Sequence, residues 1–196
     1  MNEKEILVDY FSSLATMSSE EKDLTRSIIT RSRFRANDQM LFQGDVCNQI
    51  YYIVKGIVRY GFIDENGNDI TLLFRAENEF ITDYASFLTN TPSPNFIEAI
   101  EDIECLKFDQ QGIDLIYNKI NHGDRIGRKI SEMLFLEASQ RINFFYKATP
   151  EERYKIFLES KGDVINRVPQ SYIASHIGVR PQSLSRIKKR YLDNNS

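Results

Sequence analysis

The stretch Gln170-Ser-Tyr-Ile-Ala-Ser-His-Ile-Gly178-Val-Arg-Pro-Gln-Ser-Leu-Ser-Arg-Ile-Lys-Lys-Arg190 reads as two short helical patterns joined at a glycine. Counted from Gln170, the apolar residues Ile173, Ile177, Val179, Leu184 and Ile187 fall where two crossed helices must bury side chains. Ala174 is small where the pair approaches most closely. Gly178 stands at the turn, where a left-handed backbone is cheap only without a Cβ. Pro169 and Pro181 fall at helix starts, which suits a residue that lacks an N–H. The spacing predicts a helix-turn-helix.

The charge around this pattern is one-sided. Residues 164–192 contain no acidic side chain, although the chain as a whole carries a net charge of −3. Between positions 150 and 196, nine Lys/Arg face five Asp/Glu, a surplus of four. The remaining sixteen basic and twenty-three acidic residues leave a deficit of seven, and the two sum to −3. A basic tail on an acidic body suits a protein of which one part meets a polyanion.

The second helix of the pattern sorts by angle. Leu184, Ile187 and Tyr191 share one side; Gln182, Ser183, Arg186 and Arg190 share the other, flanked by Ser185 and Lys189. Gln and Arg can each make paired hydrogen bonds to an adenine or guanine edge in the major groove, about 1–3 kcal/mol of discrimination per pair. Lys188, Lys189, Arg190 and Arg167 are expected to meet phosphates instead, which positions a helix without reading sequence. With Gln170, Ser171 and Arg180 at the two helix starts, the candidate DNA-contacting set is Gln170, Ser171, Arg180, Gln182, Ser183, Ser185, Arg186, Lys189 and Arg190.

Upstream, the periodicity changes twice. Ile6, Leu7, Tyr10, Phe11 and Leu14 recur at helical spacing, and Ser18 with Glu21 has the form of a capping box before a second helix bearing Leu24 and Ile28. After Arg33 the period becomes two. Short β-branched and aromatic runs begin at Met40, Ile50, Ile57, Ile70, Phe96 and Ile103, with Asn66-Gly67 marking a hairpin. Many short strands without intervening helices predict an antiparallel sandwich or barrel-like roll. Beyond Asp109 a short helix carries Ile113, Leu115 and Ile116. A longer one runs from about Asp124 to Tyr146, with Ile126, Ile130, Leu134, Ala138, Ile142 and Phe145 as its apolar seam. Thr149-Pro150-Glu-Glu caps a further helix that carries Tyr154 and Phe157.

Other chemistries find little support. Cys47 and Cys105 are far apart and have no neighbouring ligand residues, so a disulfide framework, a cysteine-based metal site and an iron–sulfur centre are not expected. The cysteines are expected to be small buried hydrophobes, and His122 and His176 surface residues. No phosphate-cradling glycine loop, paired His-Glu metal motif or serine elbow is present, and no enzyme, metal or cofactor is predicted. No apolar run approaches the roughly 20 residues of a membrane span, and the opening Met1-Asn-Glu-Lys-Glu lacks the order of a signal peptide. A cytoplasmic protein without a membrane partner is expected.

At this point the chain resembles the Crp/Fnr superfamily of bacterial transcription regulators over nearly its whole length. Phe42-Gln-Gly44-Asp with Ile50-Tyr-Tyr-Ile-Val-Lys-Gly56-Ile-Val-Arg is similar to the family's β-roll signature. Val168-Pro-Gln-Ser-Tyr-Ile-Ala-Ser-His-Ile-Gly178 with Ser183-Leu-Ser-Arg186 is similar to its DNA-binding module. The resemblance implies an α+β fold. An N-terminal antiparallel β-roll of jelly-roll (double-stranded β-helix) type with flanking helices occupies 1–121, a dimerisation helix 122–147, and a helix-turn-helix domain 148–196. It implies base contacts from the positions matching Gln182, Ser183 and Arg186, double-stranded DNA and a second copy as partners, contact with RNA polymerase, and an effector the sequence does not identify.

Two features depart from the family pattern. Cyclic-AMP-binding members carry Gly-Glu and, about ten residues later, Arg-Ser around the cyclic phosphate. Here Asn78-Glu-Phe-Ile-Thr82-Asp83-Tyr-Ala-Ser-Phe puts Thr82-Asp83 at the first pair, and Ser93-Pro94 replaces the second. A buried phosphate needs a guanidinium or a comparable donor set, and Asp83 would repel it. The nearest basic residue, Arg75, lies outside the segment. Cyclic AMP is therefore not expected to bind through the usual cassette, and Asp83, Tyr84, Ser93 and Asn95 form the candidate ligand pocket. The second departure is at the end of the sequence: the six residues from Tyr191 onward are too few for a trailing wing hairpin, and any wing strand is expected at 163–168.

Overall fold

The computed structural model describes residues 3–193. Two helices open the chain, α1 (Glu3–Leu14) and α2 (Ser19–Ile28), and the Ser18–Glu21 capping box forms in both directions. Eight strands follow: β1 (Thr30–Phe34), β2 (Gln39–Leu41), β3 (Gln49–Lys55), β4 (Val58–Ile63), β5 (Asp69–Arg75), β6 (Phe80–Ile81), β7 (Phe96–Ala99) and β8 (Ile103–Asp109). A short helix α3 (Tyr84–Thr89) interrupts them after β6. They form two four-stranded antiparallel sheets, ordered β1-β8-β3-β6 and β2-β7-β4-β5. The expected roll is present.

The continuous apolar run of β3 has a reason. Tyr51 and Ile53 point between the sheets, beside Val58, Ile97, Ala99, Ile103 and Cys105. Ile50, Tyr52 and Val54 face the other way, where Leu7, Phe11, Ile29, Leu106, Phe108 and Ile116 gather. A strand buried on both faces shows no period-two alternation. β1 shows the opposite. Its Thr-Arg-Ser-Arg-Phe sequence is largely exposed, so this edge strand begins at Thr30, ahead of the change of period expected after Arg33. Both cysteines are buried, as expected, and burial pushes the Cys105 thiol up to about 12.

After α4 (Gln110–Lys119) comes the long helix α5 (Gly123–Lys147). Its six-residue seam divides. Ile126 is buried and Ile130 packs beside it against the roll's helical flank, whereas Ala138 is exposed and Ile142 is 61% exposed. The cause is geometric: residues four apart advance by about 40° around a 3.6-residue helix, so four such steps carry the stripe to the opposite side. Phe145, at the end of the seam, is half-buried under the guanidinium groups of Arg141 and Arg153.

Three helices complete the chain: α6 (Pro150–Lys161), α7 (Gln170–His176) and α8 (Pro181–Asp193). Thr149 and Glu152 form the capping box of α6, with Pro150 in its first turn. Residues 163–168, expected to supply a strand, instead make successive turns closed by Val164 N–H to Lys161 C=O and Arg167 N–H to Val164 C=O, both 2.9 Å. Two such tight turns leave no extended segment to pair. The expectation that the chain end forms no wing falls partly on 194–196, outside the described residues. Among the described residues no helix is long and apolar enough to cross a membrane, and no group of His, Cys, Asp and Glu is arranged to hold a metal ion.

Candidate nucleic-acid interface

The two helices of the motif cross over a shared apolar centre. Ile173, Ala174 and Ile177 are fully buried, Leu184 and Ile187 nearly so, and Val179 packs half-buried against them. Tyr154 and Phe157 of α6 close the cluster, and Tyr191 of α8 lies edge-on to Tyr154 at 5.7 Å. Gly178 takes φ +71°, the left-handed conformation its place in the turn requires, and Val179 N–H then reaches Ala174 C=O at 2.9 Å.

Burying that face of α8 presents the other to solvent. Gln182, Ser185, Arg186, Lys189 and Arg190 are exposed, as are Arg180 at the helix start and Gln170 and Ser171 at the start of α7; Ser183 is half-buried. The start of α7 lies beside the third turn of α8, where Lys188 donates to Gln170 Oε1 at 2.9 Å. The result is a ridge of glutamine, serine and guanidinium groups along one helix, of the width a major groove accepts.

The residues expected on phosphates divide. Lys189 is exposed. Lys188 is half-buried and held by Gln170, and Arg190 pairs with Glu151 of α6. Arg167 turns away from the ridge and binds Glu77 and Glu101 of the roll; its hydrogen bonds pull the Glu77 carboxyl down to about 2. Arg167 is thus committed within the chain, a correction that spacing could not supply because both acidic partners are more than sixty positions away.

The histidine expectation also changes. His122 is exposed, but His176 is 7% exposed among the rings of Phe74, Phe144 and Phe157. Its Nδ1 lies 2.9 Å from the Leu72 carbonyl, which can only accept, so Nδ1 carries the proton. Burial, with the Arg141 and Lys161 charges nearby, lowers its pKa to about 3.

Within the roll, Asp83, Ser93 and Asn95 come together, while Tyr84 stands apart with its hydroxyl 3.1 Å from Ser131 on α5. Asp83 and Ser93 are buried and turned on one another. The Asp83 carboxylate accepts from Ser93 Oγ, Asn95 Nδ2, Tyr60 Oη and the Ser86 N–H, the last capping α3. Burial alone would raise its pKa; these four donors outweigh burial and hold it below the usual range. Tyr60, which no sequence motif marks, completes this group. Its place opposite Asp83 follows from the β4 register, which no local pattern reveals.

Comparison with known proteins agrees with this architecture. Residues 31–119 match the family model of the cyclic nucleotide-binding domain. A search of curated proteins finds no match. Among solved structures the chain is similar to FixK2 from Bradyrhizobium japonicum, with a TM-score of 0.73 at 15% identity over 86% of each chain. It is similar to the c-di-GMP-responsive global regulator CLP from Xanthomonas campestris (TM-score 0.64, 12% identity, 91% of this chain and 93% of that one). The catabolite activator protein of Thermus thermophilus aligns with a TM-score of 0.55 at 18% identity, over 93% of this chain and 87% of that one. All three are under 25% identical to this chain, so the likeness is one of fold, and it extends over most of the chain.

Proposed function

We propose that this Crp/Fnr-like chain is a sequence-specific, DNA-binding transcription regulator that engages an inverted-repeat operator as a homodimer and catalyses no reaction. The observation that carries this reading is the exposed ridge of α8. Gln182, Arg186 and Lys189 point outward from a helix whose opposite side is sealed in the core, in a segment without acidic residues. Gln182, Ser183 and Arg186 read base edges. Gln170, Ser171, Arg180, Ser185 and Lys189 hold the phosphates on either side, and Arg190 joins them on leaving Glu151. The roll comprises 1–121, the dimer helix 122–147 and the reader 148–196.

Cyclic AMP is not the effector by the usual cassette. The position that would need a cation holds Ser93, and the Asp83 carboxylate beside it is already supplied with donors by Ser93, Asn95, Tyr60 and the Ser86 N–H. A small-molecule effector of another kind and contact with RNA polymerase belong to the same reading.

Binding to DNA pools across a salt series tests it: salt-sensitive retardation is expected, and no binding to any duplex overturns it. Arg186→Ala is expected to cost about 1–3 kcal/mol at one base position and to relax specificity there. An equal loss over all sequences reassigns Arg186 to phosphate.

A further inference from the structure

The reading module is not hinged freely to the roll. β5 is the last strand of its sheet, so one row of its backbone groups has no strand to pair with. The first helix of the helix-turn-helix, α7, lies along that row. Ser175 Oγ accepts from Thr71 N–H at 2.9 Å and donates to Asp69 C=O at 3.1 Å. His176 Nδ1–H donates to Leu72 C=O at 2.9 Å.

Leu72 is itself a bulge. On β4, Tyr60 pairs with Leu73 and the next residue, Gly61, pairs with Thr71, so Leu72 has no partner across the ladder. Such a bulge redirects one residue's backbone out of the sheet pattern. Gly61 is required there, because a Cβ at that position would lie 2.2 Å from the Ile70 carbonyl oxygen.

The side chains close the same contact. Arg59, 4% exposed, is held by Asp69 and Glu98, and its guanidinium lies 3.9 Å from the ring centroid of Tyr172 on α7. Ile57 and Phe74 of the roll share one core with Phe157, Ile173 and Ile177 of the module. A helix with this many directional contacts to a sheet edge has one seat.

We infer that Ser175, His176 and Arg59 are positioning residues for DNA recognition: by seating α7 on the bulged edge of β5, they fix where α8 stands relative to the roll, and thereby the distance between the two readers of a dimer. None of the three belongs to the DNA-contacting ridge. The inference rests on the proposed DNA-binding function and adds the specificity it sets, which is the spacing between half-sites.

The test uses the full-length protein and duplexes that the wild type selects from a random pool. Affinity is measured by fluorescence anisotropy on the selected inverted repeat, on the same repeat with one base pair added or removed between half-sites, and on a single half-site. Ser175→Ala combined with His176→Phe, which keeps an aromatic ring in the aromatic nest, is expected to bind the selected repeat at least tenfold more weakly. The same variant should lose most of the wild type's penalty for altered spacing, while single half-site affinity and its salt dependence stay unchanged. Ser175→Thr, which retains the hydroxyl, restores the spacing preference when it replaces Ser175→Ala.

Undiminished affinity for the selected repeat overturns the inference. So does an equal loss on repeat and half-site, which marks plain structural damage. If the double variant does not fold, Ser175→Ala alone carries the comparison, since that side chain is only half-buried. A wild type that selects no sequence sinks the DNA-binding reading itself, a result distinct from selection with unchanged spacing behaviour in the variants.

Discussion

Leu134→Glu is expected to give a monomer in sedimentation velocity and to lose about 10²–10⁴-fold in operator affinity, with the fold intact by circular dichroism. Leu134 is half-buried at the edge of the exposed part of α5. Together with Phe135, Ala138, Ile142 and Tyr146 it falls within about 120° of the helix circumference at 100° per residue. Phe135 is 72% exposed, Ile142 61% and Tyr146 87%, an apolar strip of the kind that marks an interface. A second copy of the same helix is the occupant we propose, because isologous packing of two strips places two readers about one helical turn of DNA apart, about 34 Å.

A carboxylate buried in that seam would lack a partner, and the dimer would lose more than the contacts of one leucine. Loss of the dimer separates the half-sites, so the second binding event is no longer intramolecular and the affinity gained by linkage disappears. Half-site binding by the variant is expected to stay near that of the wild type. A Leu134→Glu protein that still sediments as a dimer removes this face from the interface.

Acidification is expected to destabilise the protein through His176. The imidazole has a pKa of about 3 in the folded chain, against about 6.5 when unfolded. A group whose folded pKa is depressed leaves stability intact above the unfolded value and removes it as pH falls toward the folded one. The window here is therefore 6.5 to 3. The slope is about 1.4 kcal/mol per pH unit, because the unfolded chain takes up a proton the folded chain refuses. Between pH 7 and 5.5, about 1 kcal/mol should be lost from this residue, and its proton has no acidic partner among the rings of Phe74, Phe144 and Phe157. Urea denaturation at both pH values, with His176→Phe as reference, measures the difference. A His176 resonance that titrates near 6.5 by NMR refutes the burial on which this rests.

The local chemistry of the chain was legible from its residues. The two capping boxes, at Ser18–Glu21 and Thr149–Glu152, the Gly178 turn and the buried positions Ile173, Ile177, Leu184 and Ile187 all follow from short-range rules. Each such rule involves neighbours within about five positions, where chain connectivity already fixes who meets whom. The outward face of α8 followed as well, because burying one side of a helix exposes the other. β1 has no counterpart among the period-two runs, the first of which begins at Met40, because an edge strand that buries little carries no period.

What the tertiary structure alone decided are pairings across long sequence distances. Arg167 with Glu77 and Glu101, Asp83 with Tyr60, and His176 with the Leu72 carbonyl join elements that no periodicity relates. The seam of α5 was read correctly as apolar yet split in two, because its drift around the helix gains meaning only once the roll covers one side. The amino-acid order determined which segments form and which faces are apolar. Packing determined which cations stand exposed and which are held within the chain, since a charge is paired or open to solvent according to what folds against it.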